Sequence, residues 1–162
     1  MAALSIVFGK YLAFNIGETF RVSLENLPII MTSITLGPLW GAAVGLVADL
    51  VGCLMVGYTV NPLITLGAVS VGLVSGMVYR LMPRAWTWRK FAAVLSAHIV
   101  GSVLIKTAGL SLFYGTDYLT LVLYRVINYS LIIAMEYIII YILTKNRGVV
   151  AILESLGGGE KI

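Results

Sequence analysis

Six ionisable side chains lie inside segments that are otherwise apolar: Lys10, Asp49, His98, Lys106, Arg125 and Glu136. Burying a charge in hydrocarbon costs several kcal/mol, so such groups face a cavity or a partner. Their spacing sorts them. His98, Ser102 and Lys106 follow one helical face at intervals of four, and Arg125, Asn128, Tyr129, Ile132 and Glu136 follow one face of another helix. At about 1.5 Å per residue, His98 lies roughly 11 Å above the start of its segment and Glu136 roughly 12 Å above the end of its own. Lys106, Asn128 and Tyr129 all fall roughly 23 Å along, with Arg125 higher still. His98 and Glu136 are therefore read as a structural polar pair in the inner half. Lys106, Arg125 and Asn128 form a candidate anion site in the outer half. Lys10 joins this outer group, and Asp49 either neutralises Lys10 or acts as a packing or capping group. Tyr58 and Asn61 bring an aromatic ring and an amide to a loop that could cover a cavity. The plainer alternatives are snorkelling of Lys106 and Arg125 to the interface and an ordinary interfacial turn at Tyr58 to Asn61.

The elements that position these groups follow from composition. The 162 residues are 60% hydrophobic and 11% charged, with mean hydropathy +1.00. A soluble domain carries about 25% charged residues, so the bilayer is the solvent that suits this chain. An all-α bundle of six membrane helices is predicted, spanning Met1–Phe14, Ser23–Leu36, Leu39–Gly57, Leu63–Met82, Phe91–Leu112 and Leu121–Thr144. The first two are short and need tilt, flanking loops or a missing portion to complete a span. Gly37-Pro38, Asn61-Pro62 and Pro83 break the helices, and polar loops run from Asn15 to Phe20 and from Tyr114 to Tyr118. Residues 1–147 form the membrane domain and 148–162 a cytoplasmic tail, partly ordered at most, with a flexible Gly157-Gly158-Gly159 end. Arg80, Arg84, Arg89, Lys90, Lys145, Arg147 and Lys161 fall on one side. Arg21, Glu18, Glu25 and Asp117 fall on the other, so both termini are expected in the cytoplasm. The chain enters Ala2-Ala3-Leu4 without a charged lead, so no cleavable signal peptide is expected.

Other chemistries find less support. The formal charge of +4 is not arranged as a basic run with interleaved aromatics, which argues against nucleic acid as a partner. Cys53 is the single cysteine; it excludes an internal disulfide and a paired-cysteine metal motif, and reads as a small buried apolar residue. No cofactor or metal is expected. No phosphate loop of the form Gly-x-x-x-x-Gly-Lys-[Ser/Thr] is present, so ATP-driven work would need an ATPase in trans. Leu73-Val74-Ser75-Gly76 lacks the first glycine of a serine-protease elbow. An intramembrane protease pairing Ser75 with His98 is therefore a weak rival. Small residues recur at intervals of four in Ser5, Gly9 and Ala13, in Gly37, Gly41 and Gly45, and in Gly72 and Gly76. Such stripes let helices approach closely in lipid. Those of the third and fourth helices are read as internal packing, whereas the first helix could face another subunit.

The run Leu27-Pro28, Gly37-Pro38, Gly41, Gly45, Ala48-Asp49 and Gly52 resembles the substrate-binding S components of energy-coupling factor (ECF) vitamin transporters. Leu4-Ser5-Ile6-Val7 followed by Lys10, and Arg21-Val22-Ser23 before Leu27-Pro28, are most similar to the folate group. The resemblance covers the first half of the chain in motif and the second half in layout and loop charge. It implies a non-enzymatic, high-affinity vitamin-binding subunit in a prokaryotic cell membrane, with a site near the outer surface capped by loops. It also implies a transmembrane coupling subunit resting on two cytoplasmic ATPases, with Ser5, Gly9 and Ala13 at the subunit contact. A folate pterin would stack on Tyr58 or Tyr129 and bond to Asn61 or Asn128. Its carboxylates would meet Lys10, Arg21, Lys106 or Arg125. An S component for pantothenate or thiamine, and a structural subunit of a membrane complex, remain the alternatives.

Overall fold

Proline and glycine set the helix boundaries. Pro38 and Pro62 each occupy a first helical position, where the missing amide hydrogen costs nothing and the fixed φ favours a helix start. Gly37 precedes the first of these with φ 109°, a conformation that only glycine adopts without strain. Asn61 caps the second, its Oδ1 accepting from the Leu63 amide at 3.0 Å. The computed structural model describes residues 1–16, 20–83, 85–86 and 88–156. Among them are helices α1 (Ala2–Tyr11), α2 (Leu27–Thr35), α3 (Pro38–Val56), α4 (Pro62–Leu81), α5 (Arg89–Tyr114), α6 (Tyr118–Lys145) and α7 (Arg147–Leu156). Two of them contain wider π turns, over Val7–Tyr11 in α1 and His98–Ile105 in α5.

Four helices, α3 to α6, are long and apolar enough to cross a membrane. Their ends lie close to those expected; the largest shift moves the start of α6 from Leu121 to Tyr118. Of the six membrane helices predicted, the first two, already read as short, are not long enough to span on their own. At about 1.5 Å per residue, α1 reaches about half of a hydrocarbon core roughly 30 Å thick. All nine residues of α2 are buried. Buried on every side, α2 lies inside the bundle, and its Thr32, Ser33 and Thr35 hydroxyls donate to the carbonyls of Pro28, Gly72 and Met31. Ile29, Ile30 and Ile34 of α2 pack with Val71 of α4, Val94 and Ala97 of α5 and Ile140 of α6.

The structure is all-helical apart from one short hairpin among the described residues. Phe14–Ile16 (β1) pairs antiparallel with Phe20–Val22 (β2), Asn15 opposite Arg21, where a polar loop was expected. The tail begins with the helix α7, and Val149 packs against the core. Gly157-Gly158-Gly159, Lys161, Glu18, Arg84 and the side chain of Arg21 lie outside the described residues.

The glycine stripes of α3 and α4 pack against each other and against α2. A Cβ on Gly72 would overlap the backbone of Gly41 and Ala42, one on Gly45 the backbone of Ala68, and one on Gly76 the Ser33 hydroxyl and Pro38. These are backbone approaches that a neighbouring side chain cannot relieve by rotating. Gly72→Leu is expected to destabilise the bundle by about 3 kcal/mol, the upper range for overpacking. The loss would appear as a lower thermal unfolding midpoint in detergent. Leu66→Ala, one and a half turns away on the same helix and 56% exposed, should leave that midpoint nearly unchanged.

Candidate ligand-binding site

The bundle is polarised. One end carries Arg80, Arg89, Lys90 and Lys145: Arg89 Nε donates to the Tyr79 carbonyl at 2.8 Å and Lys90 Nζ to Thr144 Oγ1 at 2.7 Å. The other end holds two cavities. The larger, about 720 Å³, is lined by residues including Asp117, Tyr124, Arg125, Asn128 and Tyr129. The second, about 460 Å³, is lined by residues including Lys10, Asp49, Tyr58, Asn61 and Lys106. Glu25, Leu110, Arg125 and Tyr129 line both. Every predicted binding residue with a described side chain therefore faces one of two adjoining spaces.

Each cation has an assignable environment. Lys106 is buried, and its Nζ lies 2.9 Å from Glu25 Oε1. Arg125 Nη1 donates to the Ser102 carbonyl at 2.7 Å, and its guanidinium lies 5.9 Å from the Tyr129 ring centre. The arginine thus reaches across to a backbone carbonyl of α5 rather than snorkelling to the interface. Lys10 Nζ lies 5.3 Å from the Tyr58 ring centre, within cation–π range. Asp49 accepts from Thr65 Oγ1 at 2.6 Å and shares a cavity with Lys10. Asn61 is committed at both ends, its Nδ2 donating to the Gly109 carbonyl at 3.0 Å while its Oδ1 caps α4. It positions the cavity wall and has little left to offer a ligand. Asp117 stands at the rim, where hydrogen bonds from the Thr120 amide (2.9 Å) and hydroxyl (2.8 Å) hold its carboxyl below the usual carboxylate range.

Glycines make room for the long side chains. A Cβ on Gly67 would strike the Lys106 stem, and one on Gly52 would lie 3.2 Å from Lys10 Cε. Lys10 stands on the π turn of α1 and Lys106 directly follows that of α5. Such turns often occur at functional sites.

Glu25 is the site residue that sequence reasoning missed as a participant; it entered only as a loop charge. Its place is fixed by three contacts. The Ser5 hydroxyl donates to its carbonyl, its amide donates to Ser23 Oγ at 3.2 Å, and Gly9 leaves space for its side chain, with a built Cβ only 3.0 Å away. Ser5 and Gly9, expected at a subunit contact, make these contacts within the chain. Ser5 is 3% exposed and Gly9 is buried; they seat Glu25 inside this chain, and Ala13 falls beyond the end of α1. Leu4, Val7 and Tyr11 are the large residues of α1 that remain exposed.

At the level below the cavities, the two groups paired by depth do meet. His98 Nε2 lies 2.6 Å from Glu136 Oε2, and both side chains are fully buried. His98 Nδ1 lies 3.3 Å from Ser102 Oγ, which also accepts from Asn26 Nδ2 at 3.3 Å. The His98 ring packs 5.1 Å from that of Tyr129. Ser75 instead donates to the Val71 and Gly72 carbonyls of its own helix, so the dyad required for a protease does not form. Cys53 is buried and lines the second cavity. Among the described residues there is no cluster of three or more His, Cys, Asp or Glu side chains suited to a metal.

A family model described as "ECF transporter, substrate-specific component" matches residues 1–155. A Mycoplasma pneumoniae protein described as an uncharacterized MG313 homolog is 29% identical over 121 residues. That alignment covers 72% of this chain and 41% of the relative, so the chain spans well under half the relative's length.

Proposed function

The chain belongs to the ECF transporter substrate-specific component family, and from that premise we propose that it binds a vitamin bearing carboxylates, folate first, for uptake across a prokaryotic cell membrane. The observation that carries the reading is the pair of adjoining cavities at the end opposite the basic residues. They are lined by Lys10, Lys106 and Arg125 together with Tyr58, Tyr124 and Tyr129. Ligand sites usually enclose about 300–1,000 Å³, with a few fixed polar groups among apolar and aromatic walls. Cations suit the ligand's carboxylates, and Tyr58 or Tyr129 suits a flat heterocycle. Asn128 and Arg21 remain assigned to the ligand in this reading, whereas Asn61 shapes the wall.

The basic end then faces the cytoplasm with both termini, and the cavities open outward. Transport requires partners: a transmembrane coupling subunit and two ATPases, since the chain carries no phosphate loop of its own. The coupling subunit would meet the exposed face of α1 at Leu4, Val7 and Tyr11. A second reading has its own support, because Glu25 and Asp49 line the same space as the lysines. That mixture of charge would also suit a cationic vitamin such as thiamine.

The test is calorimetric titration of the purified protein in detergent with folate, pantothenate and thiamine in parallel. Trp40, in the first turn of α3, and Trp86 and Trp88, just before α5, lie at the basic end, so tryptophan fluorescence would report poorly on the cavities. Saturable, tight binding of folate alone is the expected result. Tight binding of thiamine alone would move the assignment to the second reading. Absence of binding by a folded preparation would leave a structural subunit as the better account.

A further inference from the structure

Lys106 and Glu25 form an unequal pair. The lysine side chain is 8% exposed and the glutamate 33% exposed. A buried ammonium keeps an anion beside it, because leaving it unpaired is strongly unfavourable. A carboxylate one-third exposed re-enters water at much smaller cost. Their settings differ as well, although Ser5 and Ser23 hold the Glu25 backbone. Lys106 stands on α5, where its stem passes over Gly67, while Glu25 lies in the short link between β2 and α2. Glu25 also lines both cavities, whereas Lys106 lines the second. The ion pair therefore sits at the boundary between the two spaces. Asp49, the other acid in the second cavity, is engaged by Thr65 at 2.6 Å.

We infer that Glu25 is an internal counter-ion that a ligand carboxylate displaces from Lys106. This rests on the carboxylate-vitamin reading above. The incoming anion takes over the ammonium, the Glu25 side chain swings toward the larger cavity, and the two spaces become continuous for one extended ligand. Glu25 thereby sets specificity: a neutral molecule cannot repay the buried lysine for its lost partner, but an anion can. No covalent step is involved, and the net charge around Lys106 is conserved through the exchange.

The experiment compares folate with 6-hydroxymethylpterin, which has the same ring and no carboxylate, by calorimetry on wild type and Glu25→Gln. Removing the competing charge should raise folate affinity about tenfold, at the low end of coupling energies for close charge pairs. The affinity for 6-hydroxymethylpterin should stay unchanged. Folate affinity that is unchanged or weaker in Glu25→Gln would overturn the inference and make Glu25 a bystander or a direct ligand contact. If that variant does not fold, the exchanged pair Glu25→Lys with Lys106→Glu retains opposite charges. It should lose folate at least about tenfold while keeping 6-hydroxymethylpterin; equal affinity for folate would overturn the inference. Failure of the wild type to bind folate is a separate result and removes the vitamin reading itself.

Discussion

Lys106→Met should weaken folate binding by about a hundredfold, with the protein still folded. Methionine retains most of the lysine stem that packs over Gly67, so the volume change is small. What disappears is the ammonium, which is buried and 2.9 Å from Glu25. Truncating one member of a buried charge pair at a binding site typically costs 2–5 kcal/mol or more, and about 2.7 kcal/mol corresponds to the hundredfold loss. Glu25 left alone is one-third exposed, so solvent softens the effect on folding. Lys10→Met should have a smaller effect, because Lys10 is only partly buried and already rests against Tyr58. Arg125→Met should fall between the two. One Arg125 nitrogen holds the Ser102 carbonyl, and a guanidinium has four further N–H donors to direct at a ligand. Calorimetric titration of the three variants checks the order. Unchanged affinity in both Lys106→Met and Arg125→Met would remove the cationic site from the proposal.

The candidate site was legible in the sequence to the extent that it is built on helices. Charges inside apolar segments, read with a rise per residue and a period, placed His98 level with Glu136 and gathered Lys106, Arg125, Asn128 and Tyr129 near one end. Both inferences use only local geometry. The long spans α3 to α6 were legible for the same reason, since length and composition suffice to define them. What stayed hidden depends on tertiary contact. Glu25 sits in a link with no period, and only the folded chain brings it to Lys106, 81 positions away. Ser5, Gly9 and Ala13 follow a period that marks close approach but not its direction; Ser5 and Gly9 are buried beside Glu25, and Ala13 lies past the end of α1. Asn61 carries the right chemistry for a ligand contact, yet its Nδ2 already donates to Gly109 and its Oδ1 accepts from Leu63. The π turns at Val7–Tyr11 and His98–Ile105 have no distinct residue pattern, so a uniform rise per residue could not register them. Arg125, judged to stand above Lys106, has a long side chain that bonds to the Ser102 carbonyl on α5.

Glu136→Ala should be the most destabilising single change in the bundle, at about 3–5 kcal/mol, because it leaves a fully buried histidine without its partner. Glu136→Gln should cost only about 1 kcal/mol, since the amide can still exchange one hydrogen bond with the His98 ring. These values alone would not distinguish a structural pair from one that serves binding. The double replacement His98→Leu with Glu136→Leu does. Removing both polar partners and filling the volume is often neutral or stabilising, so the unfolding midpoint in detergent should return to about the wild-type value. The pair also touches the ligand site indirectly: His98 packs on Tyr129 and lies 3.3 Å from Ser102 Oγ, while Arg125 holds the carbonyl of the same serine. If the pair only anchors α6 to α5, a stable double variant should bind folate within about threefold of wild type, as expected when packing around the site is kept. A stable double variant that loses folate tenfold or more would show that the buried network holds Arg125 and Tyr129 in their binding positions. The ligand site would then extend a full turn deeper than the walls of its cavities.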